Sequence, residues 1–219
     1  TMKQKVVLYL HGGGFSTGSS ISHRPLCARI ARQSQWKVMC VNYRLAPEYK
    51  FPCAVEDAVT SYSWLLSQGY MSADIVFAGD SAGGGLAMAA VQMIMLHKNR
   101  KDLPLPAGAI GLSPWLDLEC TSESYQENRH IDKFASSEGL RPMGRGYMGD
   151  TCSKDPLVSP FYAADLKGMC PLLLQVGSAE TLRDEVIAFA RLAQQDGVDV
   201  ELQIWENMIH VWHSFGDIL

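Results

Sequence analysis

The stretch Asp74-Ile75-Val76-Phe77-Ala78-Gly79-Asp80-Ser81-Ala82-Gly83 decides the fold. Its first five residues make a short apolar run, the mark of a buried strand. From about Ala82 to Lys98 an apolar helix is expected. Between the two stands Ser81, in a Gly-x-Ser-x-Gly arrangement. Glycines at 79 and 83 permit a tight strand-to-helix turn, and such a turn pushes the serine hydroxyl out of the sheet. The helix N-terminus behind it offers unpaired N–H groups and a positive dipole. A serine that merely caps a helix has the same local surroundings. The reading of Ser81 as a nucleophile therefore depends on what else the chain carries.

Working outward, strands alternate with helices. Residues 5–10, 37–41, 107–112 and 171–176 read as further buried strands, and the alternating 199–205 as a last one. Helices are expected over 25–33, 55–67 and 182–195, the last closed by Gly197. This pattern predicts one α/β domain over residues 1–219, with a mostly parallel sheet of about six strands flanked by helices. Catalytic residues of such a sheet belong at the carboxyl ends of its strands. Residues 115–160 break the alternation and carry no strand signal. They are expected to form an irregular insertion that contributes to a substrate pocket or a residual cap. Its Trp115, Leu116, Phe134 and Met143 either contact substrate or pack.

Composition narrows the function classes. The 219 residues carry 19 basic and 23 acidic side chains, a net charge of −4, so no polyanion partner is indicated and nucleic acid is not expected. The short basic stretch Lys98-Asn99-Arg100-Lys101 reads as the solvated end of a helix. The six cysteines form no Cys-x-x-Cys pair, so no metal site is expected, and neither is a cofactor. Free thiols in a reducing compartment are the default, which makes the expected location cytoplasmic. No apolar run reaches membrane-spanning length, and no secretory leader is visible.

His11-Gly12-Gly13-Gly14 follows the first strand. Three glycines there let the backbone aim N–H groups at one point, as an acyl-transfer enzyme requires for its oxyanion. The expected donors are Gly12, Gly13 and Ala82, with His11 holding the loop. A serine nucleophile also needs a base. Of the six histidines, His97 lies late in a helix, and His23 and His130 lie in polar loops. His210 stands just past the last strand, on the correct edge, with His213 a less well placed neighbour. The orienting acid should precede the histidine and follow the fifth strand. Glu180 is the first choice there and Asp184 the second. Asp184 and Glu185 lie in the first turn of a helix, where acids are favoured for structural reasons.

Taken together the motifs resemble the hormone-sensitive-lipase-like branch of the α/β-hydrolases, the bacterial family IV esterases. The residues that carry the resemblance are His11-Gly12-Gly13-Gly14-Phe15, Asn42-Tyr43-Arg44-Leu45-Ala46-Pro47-Glu48, Gly79-Asp80-Ser81-Ala82-Gly83-Gly84, Asp155-Pro156-Leu157-Val158-Ser159-Pro160 and Leu182-Arg183-Asp184-Glu185. The resemblance implies a serine carboxylesterase that hydrolyses short-chain acyl esters through an acyl-enzyme, with Ser81, Glu180 and His210 as its triad. Glu180 stands where the family usually has an aspartate. Few residues precede the glycine loop and the chain stops at Leu219, so a reduced cap and an open site are expected, and the resemblance implies a homodimer, often through the last strand. The alternatives are an amidase or deacetylase on the same triad, and a truncated, non-catalytic binding protein of the same fold.

Overall fold

All six expected strands form, and every neighbouring pair runs parallel. They are β1 (Val6–Leu10), β2 (Lys37–Val41), β3 (Ile75–Asp80), β4 (Gly108–Leu112), β5 (Leu172–Gly177) and β6 (Val200–Trp205), in the order β2-β1-β3-β4-β5-β6. The computed structural model describes residues 5–96 and 103–218. His97 and the basic stretch Lys98-Asn99-Arg100-Lys101 lie outside the described residues.

The sheet is parallel because each strand is followed by a crossover, and its central strands are apolar on both faces because helices cover both. All five β1 residues are buried. Alternate side chains go to opposite sides. Val6, Leu8 and Leu10 join the larger core with α2 (Cys53–Ser67) and α3 (Ala82–Leu96). Val7 and Tyr9 join a smaller cluster with Leu26 of α1 (Arg24–Ser34). The last long helix, α6 (Arg183–Gln195), ends at Gly197, whose φ of +78° is the left-handed conformation expected of a terminating glycine.

From β1, one strand in from the edge, the chain moves outward to β2, returns past β1 to β3, and then moves outward the other way. Strand order therefore reverses between β1 and β3, and such a switch point opens a crevice at the carboxyl ends of the two strands. Leu10 pairs with Gly79 in register. The glycine loop and Ser81 consequently leave the sheet side by side.

The segment 115–160 is more ordered than its polar composition suggests. It forms α4 (Ser124–Glu127) and α5 (Ser137–Met148). Trp115 and Leu116 are fully buried, and Tyr147 stacks on Phe15 with ring centroids 3.8 Å apart. Glu185 of α6 ties the segment down. Its carboxylate accepts the Leu116 N–H (2.7 Å), the Asp117 N–H (3.2 Å) and the Tyr125 hydroxyl (3.0 Å). The buried residues of α5 do fall on one face, Leu140, Gly144, Tyr147 and Met148, but Gly139, Pro142, Gly144 and Gly146 are poor helix formers and mask the signal in sequence. Phe134 (66% exposed) and Met143 (38% exposed) lie at the surface instead.

Candidate active site

Ser81 sits between the last residue of β3 and the first of α3, at a φ of +52°. A non-glycine residue held there is strained, and such outliers concentrate at functional sites. The surroundings enforce it. The Ser81 N–H donates to Leu112 O (3.0 Å), and its carbonyl accepts the Gly85 and Trp115 N–H groups (3.1 and 2.9 Å). A Cβ at Gly83 would overlap the Leu10 carbonyl, so only glycine lets α3 begin this close to β1.

His210 follows β6, and its Nε2 lies 2.9 Å from Ser81 Oγ. Its Nδ1 lies 3.0 Å from Glu180 Oε2. With an ionised Glu180 the ring takes the tautomer whose Nδ1–H donates to the carboxylate, leaving Nε2 free to accept from the serine. Burial lowers the imidazole pKa, but the Glu180 hydrogen bond and charge, with Asp132 and Asp80 behind, outweigh it. The net shift is upward from 6.5. Three segments from different parts of the sequence thus meet at one edge of the sheet, as the carboxyl-end rule requires.

The other histidines and carboxylates go elsewhere. His213 Nε2 is engaged by Gln175 Oε1 at 3.0 Å, and burial pulls its pKa down to about 4. His130 pairs with Arg129 at the surface, and His23 faces Asp80. Asp184 accepts from Ser124 N–H (2.9 Å) and Arg183 Nε (2.8 Å), so it holds the insertion rather than the histidine.

Two supporting residues are absent from the sequence expectations. Ser113, just past β4, donates its hydroxyl to Glu180 Oε1 (2.7 Å) and accepts the Val211 N–H (3.1 Å). It is fully buried and also has a positive φ, +48°. The Gly177 N–H is the second donor to Oε1, at 2.6 Å. Ser113 lies at a strand carboxyl end, so the rule that selects Glu180 and His210 also reaches it. Asp132 is the other. Its carboxylate takes the N–H groups of Phe134, Ala135 and Thr181 at 3.1–3.2 Å. Its Oδ1 closes a local turn on Phe134 and Ala135, as many surface aspartates do, so only the distant Thr181 contact at Oδ2 ties it to the site, and local sequence does not show that.

Asp132, Glu180 and His210 each bring a potential ligand atom within 4.8 Å of the others. Each of the four carboxylate oxygens already faces a proton donor. The cluster is thus a satisfied hydrogen-bond network rather than a free donor set for a cation.

The glycine loop departs from expectation at one position. The Gly12 N–H, expected to face an oxyanion, donates instead to Asp80 Oδ1 at 3.1 Å. Gly12 lies against Asp80, whose Oδ2 a Cβ at Gly12 would overlap, and a backbone N–H buried there takes the nearest carboxylate. Gly13 and Gly14 have no N–H acceptor among the described residues. Their orientation is set by the carbonyls on the opposite side of each trans peptide. The Gly12 carbonyl is held by His11 Nδ1 (2.9 Å), and the Gly13 carbonyl by the Ser16 and Thr17 N–H groups (3.1 and 2.9 Å). His11 is itself buried and stacked on Tyr43, whose hydroxyl donates to the His11 carbonyl (2.6 Å). Ala82 opens α3 and has no preceding turn to bond its N–H.

Comparison with known proteins gives the family of the chain. A family described as alpha/beta hydrolase fold matches residues 7–214. An acetyl-hydrolase of Streptomyces hygroscopicus is 40% identical over 215 residues, covering 98% of this chain and 70% of its own length. An ethyl acetate hydrolase of Pseudomonas putida is 30% identical over 225 residues, with 97% and 67% covered. Among solved structures, EstE5 soaked with p-nitrophenyl butyrate superposes with a TM-score of 0.93 at 43% identity, over 98% of this chain and 71% of that one. An esterase from the bacterial hormone-sensitive lipase family gives 0.92 at 45% identity, with 98% and 71% covered. The chain belongs to the α/β-hydrolase fold family and, within it, to the hormone-sensitive-lipase-like carboxylic ester hydrolases.

Proposed function

We propose that the protein is a serine carboxylesterase acting on short acyl esters through an acyl-enzyme. The observation that carries this is the unbroken chain from Ser81 Oγ through His210 to Glu180, at 2.9 and 3.0 Å. His210 Nε2 takes the Ser81 proton as Oγ attacks the ester carbonyl. Gly13, Gly14 and Ala82 N–H groups stabilise the oxyanion. His210 then gives the proton to the leaving alcohol, the C–O bond breaks, and an acyl-serine remains. Water, deprotonated by the same imidazole, attacks that acyl group and releases the acid. Glu180 fixes the ring and stabilises its charged form throughout. No step calls for a metal or an organic cofactor.

Residues 1–219 act as one catalytic domain in this reading, with 115–160 forming a wall of the acyl site through Phe134 and Met143. Short acyl groups are favoured by the names of two relatives, an acetyl-hydrolase and an ethyl acetate hydrolase. A homodimer along β6 is supported by the exposure of Ile204 and Trp205 on that edge strand. Six free thiols suit a reducing, cytoplasmic setting. Among the described residues no helix is long and apolar enough to cross a membrane.

The test is Ser81→Ala assayed on p-nitrophenyl esters from acetyl to palmitoyl, with fluorophosphonate labelling of both forms. Wild type should label and prefer the shorter chains. The variant should not label and should lose roughly a thousandfold or more in kcat. Undiminished hydrolysis by purified Ser81→Ala rejects the assignment.

A further inference from the structure

The carboxylate of Asp80 is almost wholly buried, one residue before Ser81, and has no place in the mechanism above. A buried carboxylate is costly unless its oxygens are satisfied, and an apolar side chain would fill the same volume without that cost. Asp80 is fully engaged. Its Oδ1 accepts the Tyr9 hydroxyl at 2.7 Å and the Gly12 N–H at 3.1 Å. Its Oδ2 faces His23 Nε2 at 3.3 Å. These three partners come from β1, the glycine loop and the start of α1. Of them, Gly12 is the one that belongs to the oxyanion loop. The loop lies directly on the carboxylate, since a Cβ at Gly12 would overlap Asp80 Oδ2. Burial raises the Asp80 pKa, yet the bonds from His23, Tyr9 and Gly12 more than reverse it, so the group stays ionised.

Resting on the esterase reading, we propose that Asp80 is a positioning residue for the oxyanion loop. By fixing the Gly12 N–H it sets the plane from which the next two peptides run. The His11 imidazole and the Ser16 and Thr17 N–H groups then hold the Gly12 and Gly13 carbonyls on one side. The Gly13 and Gly14 N–H groups are left on the other, as the two free donors of the loop. Without the anchor, Gly12 is free to turn and compete for the same site, and the preorganisation that makes an oxyanion hole effective is lost. The same aspartate spans the loop and the residue preceding the nucleophile, so it also ties the position of the donors to that of the attacking oxygen.

Three variants test this: Asp80→Ala, Asp80→Asn and Asp80→Ser. Asparagine keeps an oxygen for the Gly12 N–H, whereas alanine offers none and the serine oxygen is too short to reach. With concentrations set by active-site titration, Asp80→Ala should lose about 100-fold or more in kcat on p-nitrophenyl acetate, with KM changed less than about threefold. Asp80→Asn should stay within about tenfold of wild type. Affinity for phenylboronic acid, whose tetrahedral adduct places an oxygen in the hole, should fall in step with kcat, while butyrate binding holds. Asp80→Ser replaces Asp80→Ala if the latter does not fold. Either deletion keeping kcat within about threefold of wild type overturns the proposal. So does an Asp80→Asn variant as impaired as the deletions. A wild type that neither hydrolyses esters nor takes up the fluorophosphonate rejects the esterase reading itself, which is a separate outcome.

Discussion

Replacing Ser113 with alanine separates the geometry of the triad from its membership. Ser113 is bonded to Glu180, Val211 and Gln175 and not to Ser81. Its hydroxyl donates to Glu180 Oε1 at 2.7 Å and accepts the Val211 N–H at 3.1 Å, one residue beyond His210. It therefore bridges the acid loop to the histidine loop. A hydrogen bond to a charged group contributes about 1.5–3 kcal/mol, and a buried N–H left unpaired costs about 1–3 kcal/mol. Glu180 retains the Gly177 N–H on the same oxygen, so part of the first amount survives. A net stability loss of about 3 kcal/mol follows, and for a chain of this size that lowers Tm by roughly 6–12 °C. A loosened Glu180 costs His210 its fixed tautomer and orientation. We expect kcat on p-nitrophenyl acetate to fall about 10- to 100-fold, equivalent to about 1.4–2.7 kcal/mol in the barrier, with KM nearly unchanged. Ser113→Gly refines the test, because it relieves the strain of a +48° φ while still deleting the hydroxyl. It should regain part of the Tm and none of the kcat. A Ser113→Ala enzyme with a lowered Tm and a kcat within about twofold of wild type refutes the reasoning. The hydroxyl then supports the fold without orienting the acid.

Two further expectations follow from the same site. His210 must be neutral to accept the Ser81 proton, and its pKa is raised from 6.5, so kcat/KM should climb with pH through a midpoint above 6.5. Glu180→Gln removes the raising charge, moving that midpoint down and lowering kcat by about 10³- to 10⁴-fold; a pH profile with an unmoved acid limb contradicts this. In the insertion, Trp115→Ala empties a fully buried site and should cost about 3–5 kcal/mol, read as a collapse of Tm. Phe134→Ala, at an exposed position, should leave Tm within a few degrees and alter KM in a way that depends on acyl length. Unaltered KM across acetyl, butyryl and hexanoyl esters removes Phe134 from the pocket wall.

What sequence made legible was local or governed by a rule of the fold. Apolar runs, helical spacing and glycine turns are encoded by residues a few positions apart, so the six strands and their neighbouring helices could be placed to within one or two residues. The rule that chemistry gathers at strand carboxyl ends, joined to chain order, was enough to bring Ser81, Glu180 and His210 together, and their hydrogen-bond distances agree with it. The insertion was harder. Its α5 packs against Trp115 and Leu118 and stacks Tyr147 on Phe15, but Gly139, Pro142, Gly144 and Gly146 weaken the local helix signal that would reveal it.

Sequence alone named the side chains proposed to carry the chemistry, and the structure brings them within hydrogen-bond distance. Tertiary structure decided which backbone groups are left to assist them. Gly12 and Gly13 are equivalent on paper, as consecutive glycines after one strand. They differ because β1 and β3 pair side by side, so the loop leaving β1 packs Gly12 against a carboxylate 68 positions away, while Gly13 and Gly14 have no acceptor among the described residues. Ser113 and Glu180 are 67 positions apart and are likewise joined only by strand order. A hydrogen bond depends on tenths of an ångström and on direction, and between distant segments both are set by packing rather than by local sequence.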